Sequence, residues 1–368
     1  MKLLISGYYG SGNVGDEAVL EAIVQGIKKR IPGAEITVIS AAPLLTREIN
    51  AVAAIHRFDW INIVKEVRGA DILISGGGTL FQDVTSTRSF LYYIGIILLA
   101  KLFRKKVVVF AQGFGPLRGR INQRIARFAL NRADLITMRD EKAFIDLCRA
   151  GIKKPPAYIT ADPSFLLEVS HPAEGLKVLS LEGIPLDRPL VGVSVRTFRR
   201  RPQLEKVILR ELAEALDFLS QKYSYRPVFL LLHCPEDMAE ASKVIARMRE
   251  DSNIVFRICR PDEMLALISR LDLLIGMRLH SLIFAALNSV PMLGLSYDPK
   301  VEAFMNIINQ PCLKADEGLK VGTIESALED IIRRKAAIKD LLNREKKMLA
   351  ESAAANFDLF LKNFGKNS

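Results

Sequence analysis

The strongest constraint on this chain is a unit that it repeats: a short apolar run, a break at a glycine or a charged residue, then a helix. Leu271-Asp-Leu-Leu-Ile-Gly-Met-Arg-Leu-His-Ser-Leu-Ile-Phe-Ala-Ala-Leu287 shows it most fully. The run to Ile275 reads as a buried strand, Gly276 breaks it, and a helix follows. Ser281 is placed to cap that helix, since its hydroxyl can accept from an unpaired backbone N–H. Arg278 and His280 then lie at a strand's carboxyl end and a helix's start. That is where ligands bind in open α/β sheets and where anions are favoured. Arginine offers a fixed positive charge and a forked donor; histidine offers a proton near neutral pH. Together they point to an anionic substrate and acid–base chemistry.

The same unit recurs from the first residue. Lys2–Ser6 is a strand, and Gly7-Tyr-Tyr-Gly-Ser-Gly-Asn-Val-Gly-Asp-Glu17 leads into a helix from Ala18 to about Arg30. Gly10-x-Gly12-x-x-Gly15 has the form of a dinucleotide fingerprint. The second strand, Glu35–Ser40, ends without the acidic residue that holds a ribose, and Asp16 and Glu17 place negative charge where a pyrophosphate would lie. A nicotinamide cofactor is therefore not expected. A glycine loop that admits a substrate, or a structural tight turn, remains. Ala70–Ser75 is a third strand, followed by Gly76-Gly-Gly78, which argues for close backbone approach, with Asp83, Thr87 and Arg88 beyond it. Phe90–Ala100 is nearly all apolar but too short to span a bilayer, which takes about 20 residues. It reads as a buried helix, or as an interfacial one with Lys101 and Arg104–Lys106 among headgroups. Val107–Ala111 and Asp134–Met138 are further strands, the second delivering Arg139 at its end. Between them Arg120, Arg124 and Arg127 share a helical face.

Glu168–Arg188 is weakly patterned and rich in Pro and Gly, which suggests a linker. The expected organisation is a domain over 1–170, a linker over 171–189, a second domain over 190–335 and a helical tail over 336–368 that can return to the first domain. In the second domain Leu190–Val195 ends at Arg196, and Pro291–Ser296 leads to Tyr297-Asp298-Pro299-Lys300. Strands alternating with helices imply parallel sheets. The expected fold is α/β and GT-B-like: two Rossmann-like domains whose parallel sheets face each other across a cleft.

Net charge is +11, of which +8 falls on residues 1–170. The first half should thus meet an acidic partner. With no zinc finger, aromatic RNA motif or basic low-complexity tail, nucleic acid is not expected. The four cysteines form no C-x-x-C pair and read as free thiols of a cytoplasmic protein, and no secretory signal opens the chain.

Seven segments, in order, resemble the polysaccharide pyruvyl transferases. They are Gly7–Ala18, Ser75-Gly-Gly-Gly-Thr-Leu-Phe-Gln-Asp83, Ala111-Gln-Gly-Phe-Gly-Pro116, Met138-Arg-Asp-Glu141, Ala161-Asp-Pro163, Gly276-Met-Arg-Leu-His-Ser281 and Tyr297-Asp-Pro-Lys300. The likeness is nearest to the bacterial CsaB type and spans almost the whole chain. It implies transfer of the pyruvyl group of phosphoenolpyruvate to a β-N-acetylmannosamine as a 4,6-ketal. The implied acceptor is a ManNAc-GlcNAc disaccharide on undecaprenyl diphosphate, and the product a secondary cell wall polymer that anchors S-layer proteins. It further implies no metal or cofactor, phosphoenolpyruvate being a substrate, and a place at the inner face of the cell membrane against an anionic surface. The family's catalytic histidine falls on His280, and its phosphoenolpyruvate-binding cations on Arg278, Lys300, Arg139 and Arg196. Gly10, Asp16, Glu17, Gly77, Asp83 and Arg88 are the candidates for the acceptor.

The chemistry agrees with the residue types. Phosphoenolpyruvate carries a carboxylate and a phosphate on a small frame, which suits several fixed cations. A histidine can give and take the protons that ketal formation moves. The rival enzyme is a GT-B glycosyltransferase using a nucleotide sugar. The rival without catalysis is a peripheral membrane scaffold, which would not explain cations gathered at strand ends.

Overall fold

The structure, a computed structural model, describes residues 1–84, 86–168, 172–197, 202–314 and 321–365. Two compact units divide the chain. One comprises Met1–Ser11, Asp16–Leu167 and Met348–Ser368; the other comprises Gly12–Gly15 and Glu168–Lys347.

The first unit is built on β1 (Lys2–Ser6), α1 (Val14–Arg30), β2 (Glu35–Ser40), α2 (Pro43–Asn50), β3 (Ala53–His56), α3 (Trp60–Gly69) and β4 (Ile72–Gly76). It continues through α4 (Thr87–Leu102), β5 (Lys106–Gln112), α5 (Arg120–Leu130), β6 (Leu135–Met138), α6 (Glu141–Arg149) and β7 (Ala157–Ile159). The sheet is fully parallel, in the order β3-β2-β1-β4-β5-β6-β7. Its strands are apolar on both faces because helices cover both. Leu4, Leu73, Val107 and Val109 pack with α3 to α6 on one side, while Leu3, Ile5, Ile74, Val108 and Phe110 pack with α1 on the other.

The second unit has α7 (Pro172–Leu181), β8 (Leu190–Ser194), α8 (Pro202–Tyr223), β9 (Arg226–Leu230), α9 (Glu236–Ile245), β10 (Asn253–Val255) and α10 (Pro261–Ile268). β11 (Leu273–Gly276), α11 (Leu279–Leu287), β12 (Met292–Ser296), α12 (Pro299–Ile307), β13 (Cys312–Lys314), α13 (Thr323–Arg333) and α14 (Lys335–Phe364) complete it. This sheet is also parallel, in the order β10-β9-β8-β11-β12-β13.

The described part of the expected linker, from residue 172, is not a linker. It holds α7, whose Gly175 lies so close to α10 that a Cβ there would stand 2.2 Å from the Ala266 carbonyl oxygen. Its prolines and glycines serve this contact and the turn that follows. Helix α14 is one element with two loyalties. Asn343 accepts a bond from Ser289 of the second unit at 2.8 Å. Phe357 and Asn356 belong to the first unit: the Phe357 ring lies 5.0 Å from that of Phe110, and Asn356 accepts from the Thr160 hydroxyl at 2.8 Å. Three short edge strands, β3, β7 and β13, escape the sequence reading because three or four residues on a half-covered edge carry no long apolar run.

Candidate active site

In both sheets the strand order reverses at one point, and ligands of such folds bind outside the carboxyl ends there. The reversal lies between β1 and β4 in the first unit and between β8 and β11 in the second. In the second unit Ser194 pairs with Gly276. Arg196 and Arg278, each two residues further, therefore leave adjacent strands at the same level.

Around that point the second unit gathers three cations with their counter-charges. Arg278 donates through Nε to the Asp237 carboxylate at 3.0 and 3.1 Å, and its Nη2 meets the same group. Asp237, fully buried, also accepts from the backbone N–H groups of Leu232 and His233 at 3.1 and 2.9 Å. Burial raises its carboxyl above the usual range, against the pull of Arg278. Arg196 donates to the Tyr297 hydroxyl at 2.5 Å; burial works against its charge, but Tyr297 and Asp298 outweigh that and strengthen it. Burial likewise pushes the Tyr297 hydroxyl up to about 12, despite Arg196. Lys300 sits 3.3 Å from Asp298, whose side chain caps α12 by accepting from the Lys300 N–H at 3.1 Å. Burial would raise the Asp298 carboxyl, but Lys300 and its bonds hold it below its ordinary value. Three cations thus meet two carboxylates and a phenol, and these partners fix their orientation.

His280 stands in the first turn of α11, half-buried, with its ring 6.4 Å from that of Phe284. Gly15 groups with this unit: the Val14 N–H bonds the Leu232 carbonyl at 2.9 Å, and Asn13 bridges to His233. A Cβ on Gly15 would lie 2.0 Å from His280 Nδ1, so only glycine leaves room for the imidazole. Ser281 does not cap the helix. It is buried, and its hydroxyl donates to the Arg278 carbonyl at 2.6 Å, while Arg278 holds the N-cap position without a side-chain cap. The helix begins one residue before His280, which leaves Ser281 inside the first turn, where its hydroxyl joins the backbone N–H groups already bonded to the Arg278 carbonyl.

The first unit presents different chemistry at its own reversal point. The Tyr9 hydroxyl donates to the Gly76 carbonyl at 2.6 Å, and Tyr93 donates to that of Gly7 at 3.3 Å. Burial raises both hydroxyls above their ordinary range, so they serve as neutral donors that hold the ends of β1 and β4. The Glu17 carboxylate accepts from the Gly10 N–H at 2.7 Å. Burial pushes Glu17 up to about 7; the Gly10 bond opposes this and Asp16 adds to it. The close approach that the glycines allow is made by the protein itself. A Cβ on Gly10 would meet Ser40 Oγ at 2.2 Å, and one on Gly77 would meet Val19 at 2.2 Å; both residues have positive φ. Asp16 lies over Gly78, its Oδ1 2.9 Å from where a Cβ would be.

Two candidates for the acceptor are placed otherwise. The Asp83 carboxylate accepts from the backbone N–H groups of Arg118 and Gly119 at 2.9 and 3.1 Å and from Asn122 at 2.8 Å. Desolvation raises it, but these bonds outweigh that and hold the carboxyl low, which suits an organiser of the loop before α5 rather than a base. Arg88 is exposed in the first turn of α4. Arg139 belongs to the first unit, is 7% exposed, and is held by Asp162 at 3.5 Å and by the Thr79 hydroxyl at 3.1 Å. Ending β6 at a buried level, it ties the loop after β4 to the Asp162–Pro163 corner.

Sequence reasoning missed Asp237, Tyr297, Tyr9 and Tyr93. For Tyr297 a signal existed, since it lies beside Asp298 in a motif already singled out. Asp237 has none: 41 residues separate it from Arg278, and only folding joins them.

The sequence matches the family model for polysaccharide pyruvyl transferase over residues 13–299. It is 21% identical to the amylovoran biosynthesis protein AmsJ of Erwinia amylovora, covering 90% of this chain and 92% of that one. Among solved structures it is similar to HepE of Anabaena in complex with UDP-glucose: TM-score 0.70, 12% identity, 99% of each chain covered. It is also similar to a putative UDP-N-acetylglucosamine 2-epimerase from Listeria monocytogenes: TM-score 0.68, 12% identity, 100% and 97% covered. At these identities the structural likeness speaks to the GT-B-like fold alone.

Proposed function

Since the chain belongs to the polysaccharide pyruvyl transferase family, we propose that it moves the pyruvyl group of phosphoenolpyruvate onto two hydroxyls of a sugar as a ketal. The observation that supports this most is the grouping of Arg196, Arg278 and Lys300 around one reversal point, with His280 two residues beyond Arg278. A small dianionic or trianionic donor suits three oriented cations. The second unit then takes the donor. In the first unit Asp16 and Glu17 are the acceptor candidates, and the Glu17 carboxyl, pushed up to about 7, is matched to take a hydroxyl proton at neutral pH.

The protons balance on these residues. His280 gives a proton to the methylene carbon of phosphoenolpyruvate as the sugar 4-hydroxyl oxygen bonds to C2. The C2–O bond to phosphate then breaks, and the electron pair leaves with phosphate under the cations of the second unit. The 6-hydroxyl closes the ring. Of the two hydroxyl protons, one restores His280 and the other departs with phosphate. No metal or cofactor takes part in this scheme.

The likeness to the CsaB type supports the finer reading: β-ManNAc on an undecaprenyl-diphosphate disaccharide as acceptor, a 4,6-ketal as product, and a secondary cell wall polymer that anchors S-layer proteins as its destination. The enzyme then works as a peripheral protein at the inner membrane face. Phosphate release from phosphoenolpyruvate, with and without that acceptor, in EDTA and with mass spectrometry of the sugar, tests the scheme. Acceptor-dependent phosphate and a pyruvylated sugar are expected, and His280→Ala should lower turnover by about 10³-fold. Near-normal turnover of that variant would remove His280 from its role. Failure to bind phosphoenolpyruvate, with transfer from a UDP-sugar instead, would replace the reaction.

A further inference from the structure

The longest stretch without an acidic residue runs from 84 to 133: it holds ten Lys and Arg and no Asp or Glu. It supplies α4 and α5, which pack side by side on one face of the first sheet. Their inner faces are core; Phe90, Ile94 and Ile97 of α4 are almost fully buried. Their outer faces are unusual for a sheet-covering pair. On α4, Leu91 and Leu102 are 43% and 75% exposed; on α5, Ile121 and Phe128 are 71% and 53% exposed. Between the helices runs an open groove of about 540 Å³, floored by Gly95 and Ile125 and edged by Leu91, Leu98, Phe128 and Arg124.

The cations ring this apolar strip. Lys101 and Lys106 pair with Asp134, but among the described residues no carboxylate pairs with Arg120, Arg124 or Arg127. Arg132 lies over the Phe128 ring at 3.6 Å, which gives it a fixed place beside the strip. Exposed leucine and phenylalanine beside unpaired arginines suit a partner that is apolar inside and anionic at its rim. A second copy of this face does not fit: a two-fold contact would set the arginines of one copy against those of the other. A nucleic acid offers phosphates but nothing for the leucines.

We propose that the outer face of α4 and α5 docks on an anionic phospholipid bilayer, with Leu91, Leu102, Ile121 and Phe128 entering the headgroup boundary and Arg120, Arg124 and Arg127 meeting phosphates. The helices lie along the surface, since α4 is held to the sheet by its buried side, and no helix among the described residues is long and apolar enough to cross a membrane. The inference rests on the membrane-face part of the proposed function and names the surface that docks; a vesicle test needs neither donor nor acceptor, so it can fail while the transfer reaction stands.

Sedimentation of the whole chain with vesicles tests it. Binding is expected to vesicles of phosphatidylcholine with about one-third phosphatidylglycerol, to be weak on phosphatidylcholine alone, and to fall with salt. Arg120→Gln/Arg124→Gln/Arg127→Gln should weaken it by roughly 100-fold. Gly95→Glu is the second probe: nothing lies within 4 Å of the added Cβ, so the fold has room for it, and binding should drop at least roughly tenfold. Absence of binding to the anionic vesicles, or binding that both variants retain while folded, would overturn the proposal. So would a dimer in vesicle-free solution that Gly95→Glu dissolves, because a second copy would then be the occupant.

Discussion

The two units share a strand order but not a charge. In both sheets the strand order reverses beside the first strand, and both place their notable residues there. In the first unit the reversal is lined by glycines, two tyrosines held neutral and a pair of carboxylates, of which Glu17 is pushed up to about 7. In the second it is lined by Arg196, Arg278 and Lys300, each tied to an acidic or phenolic partner. The shared topology decides where a ligand is met; the loops decide what is met there. One fold, used twice, carries buried carboxylates at one reversal point and oriented cations at the other.

The contrast is broken most severely at Arg278. Arg278→Ala removes a donor contact and strands Asp237, a buried carboxylate, without its cation. Stability should fall by about 3–5 kcal/mol, and kcat/KM by about 10³-fold or more. Arg278→Ala/Asp237→Ala should recover most of the stability, measured by urea denaturation, but none of the activity. If activity returned with stability, Arg278 would be structural only.

Glu17→Gln probes the other side. The folded carboxyl sits above its ordinary value, so the fold binds that proton more tightly than the unfolded chain does. Its contribution to stability is favourable at low pH and is lost as pH rises from about 4.5 to about 7, by at most about 3 kcal/mol. The Gln variant should therefore be more stable than the parent at pH 8 and little changed at pH 4. Its kcat should fall by about 10³-fold and lose the limb near pH 7 that the base imposes. A variant that kept this limb would move the base elsewhere.

Gly15→Ala should have the smallest effect on turnover. The added methyl group would stand 2.7 Å from His280 Cβ as well as 2.0 Å from its Nδ1, so the start of α11 must give along with the ring, and stability should fall by about 1–3 kcal/mol. Turnover should drop by about 100-fold, since a catalytic group moved by an ångström loses that much. Unchanged turnover with the ring shifted, as seen by histidine NMR, would show that its resting position is not the working one.

How much of this was legible before folding differs by element. The long strands, β1, β2, β4 and β5, announce themselves because a strand covered on both faces must be apolar throughout. The edge strands β3 and β13 are covered on less and carry no such run. The place of Arg278 and His280 was legible because a glycine after a buried run marks the turn from a strand into a helix. Arg139 read the same way from its strand end, yet the structure buries it against Asp162 and Thr79. A strand end tells where a side chain starts, and not whether solvent or protein receives it.

By itself, then, the sequence determined the α/β class, the two parallel sheets and the strand ends at which the charged residues stand, because periodicity and glycine act locally. Only the tertiary structure decided the partners. It brought Asp237 to Arg278, Gly15 to His280 and the second half of α14 to the first unit, and it set Asp83 to hold a loop while burial raised the Glu17 carboxyl. The reason is physical: burial and counter-charge come from residues distant in the chain, and those two quantities fix what a titratable group can do.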